Sequence, residues 1–415
     1  MNAPGRLAPI TVDASADEVG LDGQRLRELR THARRYVDSG RLAGIVTVVA
    51  RRGQVVLADA YGRRDVERDQ PMTLDTIFRI YSMTKPIVSV ALLRLFEQGA
   101  FLLEDPVSRY LPEFSELSVL TDPAAGRTRP ARHPVTVIDL LRHTSGLAPR
   151  AGHSPVTALY QQHGLADPDG QLDLAESVRR LAELPLAAEP GQRWIYGVST
   201  DVVGRLCEVL SGQPLDAYLT DAVLAPLGMA DTAFTVAPGQ AGRFAASYGP
   251  AGDGDGGLRL IDDPVSSSYV TGRRYQSGSE GLVSTASDYL RFAWMLNGRG
   301  RLGDARVLGS RTVDLMMLNH LPGGADISDI GADGGETRTP GHGFGLGGAV
   351  LIDQARAEIG ATPGEFSWGG AASTAFFVSP RDDLAVVFLT QLRPSKTYGR
   401  LRRELRAIAY AALTD

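Results

Sequence analysis

The alternation of apolar and polar positions divides the chain into three textures. Residues 23–40, GQRLRELRTHARRYVDSG, repeat apolar positions every three or four residues and predict an amphipathic helix. The next run, GIVTVVARRGQVVLADAYG, consists of two apolar stretches around a polar turn at Arg52-Gly53-Gln54, the pattern of a β-hairpin. KPIVSVALLRLFEQGA, residues 85–100, is apolar at nearly every inward position and at several others. It predicts a helix buried on most sides, running through the middle of the fold and ended by Gly99.

From about residue 105 to 275 the pattern changes to short helical pieces separated by Pro/Gly-rich loops such as GLAPRAGHSPV, ADPDGQ and AGDGDGGL, with few alternating strand patterns. Strand signals return in GFGLGGAVLID, FSWGGAASTAFFVSP and LAVVFLTQL, and the chain closes with the helical YGRLRRELRAIAYAAL. Strands at both chain ends most simply share one antiparallel sheet, because their backbone groups must pair. The fold class this predicts is α/β of the α+β type, an antiparallel sheet flanked by helices. Residues 1–104 and 276–415 would form the α/β domain, and 105–275 a mostly helical inserted lobe. No internal repeat or low-complexity tract interrupts the pattern.

Composition narrows the function more than the fold. A chain of 415 residues, 43% hydrophobic and 22% charged, is long enough for a substantial core. Its formal charge of −5 and the lack of Lys/Arg clusters interleaved with aromatics disfavour a nucleic-acid partner. The opening MNAPGRLAPITVDASADEVG lacks the charged start and apolar stretch of a secretory signal, and no window approaches the roughly 18 apolar residues of a spanning helix. The expectation is a cytoplasmic protein without a membrane partner. The one cysteine, Cys207 in DVVGRLCEVL, reads as a buried helix-face thiol.

The chemistry begins with a scarce residue. The chain has only two lysines, Lys85 and Lys396, among 43 basic residues. Lys85 stands three after Ser82 in FRIYSMTKPIVSV, where an apolar run turns into the buried helix. Ser and Lys at i and i+3 share a helix face one turn apart, which brings an amine within reach of a hydroxyl. Pro86 is tolerated there because the first turn has no internal hydrogen bond to lose. The helix dipole would stabilise charge developing on the serine oxygen. An amine can lose its proton when burial or a neighbouring cation favours the neutral form, whereas a guanidinium stays charged, so the position asks for lysine.

Two further stretches add to the pair. GQRWIYGVSTDVVGRLCEVLSG places Tyr196 just before a helix whose start is marked by Ser199 or Thr200 and whose end is marked by Gly212. FSWGGAASTAFFVSP puts Trp368-Gly369-Gly370 on a strand, where paired glycines imply a close approach to the backbone. Two look-alikes are set aside. SKTYG, with Lys396-Thr397, follows the last strand and lies in a loop, and GFGLGG at Gly343, Gly345 and Gly348 leads into a strand with no helix to hold a pyrophosphate.

In order and spacing the three motifs resemble those of the serine β-lactamase and penicillin-binding-protein superfamily, in particular its class C branch and, within that, the family VIII carboxylesterases. TLDTIFRIYSMTKP, LLRHTSGL, PLGMADTAF and SEGLVSTASDYLRF match as well, so the resemblance covers most of the chain. Two departures stand out. The Tyr-x-Asn motif reads Tyr196-Gly197-Val198, without the amide that contacts a β-lactam side chain, and the Lys-Thr-Gly motif reads Trp368-Gly369-Gly370, without the cation for the β-lactam carboxylate. Both point toward neutral esters.

The resemblance implies attack by Ser82 on an ester carbonyl, an acyl-enzyme hydrolysed by water, and Lys85 with Tyr196 as the proton-handling pair. It implies an oxyanion hole of the backbone N–H groups of Ser82 and of Ala371, the strand residue after the glycines, with Trp368, Gly369 and Gly370 lining the substrate pocket. No cofactor is implied. No histidine stands at metal-ligand spacing and no G-x-S-x-G elbow is present, so His143 in RHTSGL reads as structural and no metal is expected. The partner is then a small-molecule ester. A β-lactamase, a D-amino-acid amidase or peptidase, or an acyltransferase would use the same site, and a non-catalytic binding module is the reading from another class. Acyl and alcohol preference and oligomeric state are not legible.

Overall fold

A computed structural model describes residues 10–165, 172–252, 256–331 and 339–415. The loop stretch ADPDGQ lies outside them, as do residues 1–9 of the opening stretch and part of AGDGDGGL.

One sheet of eight strands organises the molecule. In chain order the strands are β1 (Gly44–Arg51), β2 (Gln54–Asp65), β3 (Gln70–Pro71), β4 (His342–Phe344), β5 (Ala349–Leu351), β6 (Phe366–Gly369), β7 (Ala375–Ser379) and β8 (Leu384–Leu389). They lie side by side as β4-β5-β6-β7-β8-β1-β2-β3. Every pairing is antiparallel, and β1 against β8 joins the two chain ends with Val46 opposite Leu389 and Arg51 opposite Leu384. The β1–β2 turn has Arg52 and Gly53 both at positive φ, 52° and 73°, the backbone that matches the twist of a two-residue hairpin.

Strand β1 is buried along its whole length, which explains why its sequence runs apolar without alternation. Val46, Val48 and Ala50 face one core, and Ile45 and Val49 face another. The second core is closed by α1 (Gly23–Asp38) and the last helix, Leu401–Ala411, through Leu26, Leu29, Leu401 and Leu405. The first is filled by α2 (Thr84–Glu97), which buries eleven of its fourteen residues. Gly99, at φ 73°, lies just past its end. The layers are therefore helices, sheet, helices, as the strand pattern predicts.

Between residues 105 and 275 the described residues form five short α-helices, including Val137–Leu141, Pro155–Gln162 and Leu174–Ala182, and the longer α3 (Ser199–Ser211). Two hairpins that the texture did not suggest accompany them, Ser118–Asp122 with Arg127–Pro130 and Ser247–Pro250 with Leu258–Asp262. The strands of the first hairpin have at most one buried residue and Leu258–Asp262 has none, so hydrophobic alternation had little to report there, while Ser247–Pro250 is buried at three of its four positions but is short and written in Ser, Tyr, Gly and Pro. After this region α4 (Ala286–Asn297) returns the chain to the first core.

Candidate active site

The turn that carries Ser82 is held from both sides. Phe78–Arg79 pairs with Val283–Ser284, and the Ile80 N–H donates to Leu282 O at 3.1 Å. Tyr81 then takes φ 43°, a left-handed conformation uncommon for a residue with a side chain, and Tyr81–Met83 forms one 3-10 turn leading into α2. Ser82 thus stands one turn ahead of the helix proper, not within its first α-turn. Lys85 follows on the same face. Its Nζ donates to Ser82 Oγ at 3.2 Å and to the Ser279 carbonyl at 2.9 Å, and the residue is only 3% exposed.

Tyr196 reaches the pair from the other side. Its loop is zipped against the HTSGL turn: Ile195 N–H donates to His143 O at 2.9 Å, and Val198 N–H to Ala148 O at 3.3 Å. A Cβ on Gly197 would lie 2.6 Å from the Ala148 carbonyl, so this contact requires glycine. Ser145 and Ser199 join the turn to the start of α3 through a hydroxyl–hydroxyl bond of 2.8 Å. Gly212 caps that helix in the left-handed conformation. The result is that Lys85 Nζ sits 4.6 Å from the centre of the Tyr196 ring, over its face.

The third motif closes the arrangement. Trp368 Nε1–H donates to the Tyr196 hydroxyl at 3.1 Å, with the rings edge to face and 5.1 Å apart. Phe344 packs edge-on against Trp368, and Trp194 stacks on Tyr196. Pairing between β5 and β6 covers only Phe366 and Ser367, leaving Trp368 and Gly369 unpaired on that side. The glycines serve the protein's own backbone. A Cβ on Gly370 would collide with the Ile80 carbonyl oxygen behind Ser82, and one on Gly369 would lie 2.7 Å from the Arg402 guanidinium, whose Nη2 donates to Gly370 O. Ala371 is not a strand residue as the sequence suggested. The strand ends at Gly369, and Ala371 lies in the turn to β7, fixed by Gly370 N–H donating to Thr374 O at 2.9 Å and Ser373 N–H to Gly370 O at 3.1 Å. The close Gly370–Ile80 approach makes that turn a neighbour of the Ser82 turn.

His143 is fully buried, with its ring 5.0 Å from Tyr196 and 5.5 Å from Phe344. Neither ring nitrogen has a hydrogen-bond partner among the described residues, and burial, then the Lys85 charge, holds its pKa well below the ordinary value. It is a neutral packing element of the Tyr196 pocket.

The set-aside motifs behave as packing. Lys396-Thr397 lies in the 3-10 turn Ser395–Tyr398 after β8. Cβ atoms on Gly343, Gly345 and Gly348 would run into Asn319, the Met316 carbonyl and Phe366. Among the described residues no cluster of three or more His, Cys, Asp or Glu could hold a metal, and no helix is long and apolar enough to cross a membrane.

Sequence reading missed the shell that holds Lys85. Ser279 opens the stretch SEGLVSTASDYLRF, but its backbone carbonyl, which carries no side-chain signature, makes the contact. Thr84, whose hydroxyl accepts from Leu282 N–H at 3.1 Å, was hidden inside the Ser-x-x-Lys spacing.

An antiparallel sheet between helical layers, with a serine and a lysine one turn apart at the head of the buried helix and a tyrosine facing them, is the architecture of the serine β-lactamases and penicillin-binding proteins. A family model described as Beta-lactamase matches residues 29–411, and the chain belongs to that family. It is 35% identical to esterase EstB of Burkholderia gladioli over 89% of this chain and 91% of that one. Monacolin J acid methylbutanoyltransferase of Aspergillus terreus is 30% identical over 93% of each chain. Among solved structures, EstCE1, described as a hydrolase with promiscuous acyltransferase activity, superposes with a TM-score of 0.79 at 31% identity, covering 93% of this chain and 99% of that chain.

Proposed function

We propose that the chain is a serine hydrolase of carboxylic esters, with short acyl chains as its substrates, working through an acyl-enzyme on Ser82. The observation that carries this reading is the Lys85 amine, hydrogen-bonded to the Ser82 hydroxyl while lying against the Tyr196 ring. Ser82 Oγ attacks the ester carbonyl and its proton passes to the Lys85–Tyr196 pair, which then protonates the departing alcohol. The N–H groups of Ser82 and Ala371 receive the developing oxyanion, each worth about 3 kcal/mol in the transition state. Water, deprotonated by the same pair, attacks the ester carbonyl of acyl-Ser82 and releases the acid. Trp368 lines the pocket where a lactamase would present a cation, which favours neutral esters over β-lactam carboxylates.

The deciding experiment compares p-nitrophenyl butyrate turnover by the wild type and by Ser82→Ala. The reading requires a loss of at least about 10³-fold in kcat, as for removal of a nucleophile. Equal rates would end it.

Acyl transfer is the second reading, favoured by the relationship to EstCE1 and to the methylbutanoyltransferase. Here an alcohol replaces water in the second step. Adding a small alcohol and following the ratio of new ester to free acid separates the two. Nitrocefin beside the ester series tests β-lactam hydrolysis.

A further inference from the structure

Behind the site lies a buried ion pair that the proposed reaction does not use. Asp201, on the first turn of α3, is 0% exposed, and Arg150 is 9% exposed. Arg150 Nη2 donates to Asp201 Oδ2 at 3.0 Å and also to the Tyr275 hydroxyl, while its Nη1 donates to Leu165 O. The other Asp201 oxygen turns toward the segment after residue 276. Oδ1 accepts from the Ser277 hydroxyl at 2.7 Å and from the Ser279 N–H at 3.1 Å. Ser277 Oγ in turn accepts from the Glu280 N–H at 3.1 Å, and Gly281 N–H closes the loop onto Ser277 O at 2.9 Å.

This small knot ends on Lys85. Ser279 uses its N–H on Asp201 and its C=O on the lysine amine. A Cβ on Gly278 would collide with the Thr200 carbonyl, so the segment lies flush against the first turn of α3. On its far side Leu282 is bonded to Thr84 Oγ1 and accepts from Ile80 N–H, the two residues that bracket the Ser82 turn. One carboxylate therefore ties together the start of α3, just after Tyr196, and the carbonyl that receives Lys85.

Burying two charges costs desolvation that their attraction often only offsets, and an apolar pair of the same volume is frequently as stable. A charged pair kept here is better explained by the geometry it fixes. Lys85 otherwise faces Ser82, the Tyr196 ring and neutral His143, and both of its hydrogen bonds go to neutral oxygens, so the Ser279 carbonyl sets where the amine rests.

We propose that Asp201, braced by Arg150, is a positioning residue that fixes the Ser279 carbonyl and through it the orientation of Lys85 between Ser82 and Tyr196. The inference rests on the esterase reading above. It assigns Asp201 no contact with substrate.

The test uses the full chain with p-nitrophenyl butyrate over a range of pH. Asp201→Ala should lower kcat about 10- to 100-fold with KM within about three-fold, and shift the pH profile of kcat, because the amine is no longer held between Ser82 and Tyr196. Asp201→Asn retains an oxygen for the Ser279 N–H and should fall between wild type and Asp201→Ala. Ser277→Ala leaves the ion pair intact and loosens only the segment. It serves as the readout if the Asp201 variants do not fold, with an expected loss of about three- to ten-fold and a pH shift in the same direction. A folded variant with wild-type kcat and pH profile overturns the proposal, and so does a loss that follows thermal stability with the pH profile unmoved. Ser82→Ala separates the two levels: if it stays active the esterase reading falls, and if it is dead while the Asp201 and Ser277 variants behave as wild type, only the positioning role falls.

Discussion

The indole of Trp368 donates a hydrogen bond to the hydroxyl of Tyr196, and the two come from motifs 172 residues apart. The donor sits where it would strengthen if negative charge grew on the phenol oxygen, which fits the proton-handling role proposed for Tyr196. Trp368→Phe keeps most of the ring and removes the N–H. A loss in kcat of about ten-fold, the worth of one such bond, is expected with little change in KM. Unchanged kcat with a raised KM would make Trp368 a pocket wall only.

Lys85 should tolerate no other cation. Lys85→Arg keeps a positive charge 3 residues from Ser82 but cannot release a proton, so it should be as inactive as Lys85→Ala, at least about 10³-fold below wild type. Activity within ten-fold of wild type in the arginine variant would show that charge alone suffices.

Gly370→Ala tests the contact between the third motif and the turn that carries Ser82. The added methyl meets the Ile80 carbonyl oxygen, on the turn that carries Ser82, and the side chain of Thr374, on the turn that holds Ala371, so relieving the clash pushes the two turns apart. Overpacking of this kind costs about 1–3 kcal/mol, so the melting temperature should fall, and esterase activity should fall further than stability accounts for as the Ser82 and Ala371 turns separate. A variant of wild-type activity and stability would mean that the turns yield freely.

Asp288, on the first turn of α4, accepts from the Thr232 hydroxyl and from the Asp231 N–H, both at 2.8 Å. Burial pushes its carboxyl up to about 6. A folded value above the unfolded one means that its contribution to stability is fully present below the ordinary carboxylate range and is lost as pH rises through about 6. Asp288→Asn keeps an acceptor and removes the titration. The melting temperature of the wild type should therefore fall relative to Asp288→Asn between pH 4 and pH 7, by the equivalent of about 1–3 kcal/mol. A difference that stays flat over this range would contradict the buried titration.

The large elements were legible because each has a strong local signature. The hairpin at Arg52-Gly53, the all-round apolar α2 and the three C-terminal strand runs stand where the polarity pattern put them. Burial of β1 on both faces and the pairing of β1 with β8 follow from the same run of branched residues. Ser82 and Lys85 stood out by spacing and Tyr196 and Trp368 by the resemblance of their motifs, and the structure brings the four side chains together. What escaped was encoded in backbone. The Ser279 carbonyl that receives Lys85 is a main-chain atom, which any residue could supply, and Asp201 reads in sequence as an ordinary acidic residue in a first helical turn. The first hairpin of the 105–275 region and the strand Leu258–Asp262 were missed for a related reason, since a strand with little buried surface has no hydrophobic period to display, whereas Ser247–Pro250 is buried but reads as Ser-Tyr-Gly-Pro, without an apolar alternation.

The scarcity of lysine has a practical side. Lys85 is enclosed, while Lys396 is exposed in its turn ahead of the last helix, so apart from the amino terminus a single side-chain amine is open to reagents. Coupling to an aldehyde or activated-ester support would therefore anchor the molecules through very few points and present them in nearly one orientation, with the reactive pocket spared. An enzyme whose surface cations are almost all guanidinium carries its own attachment handle.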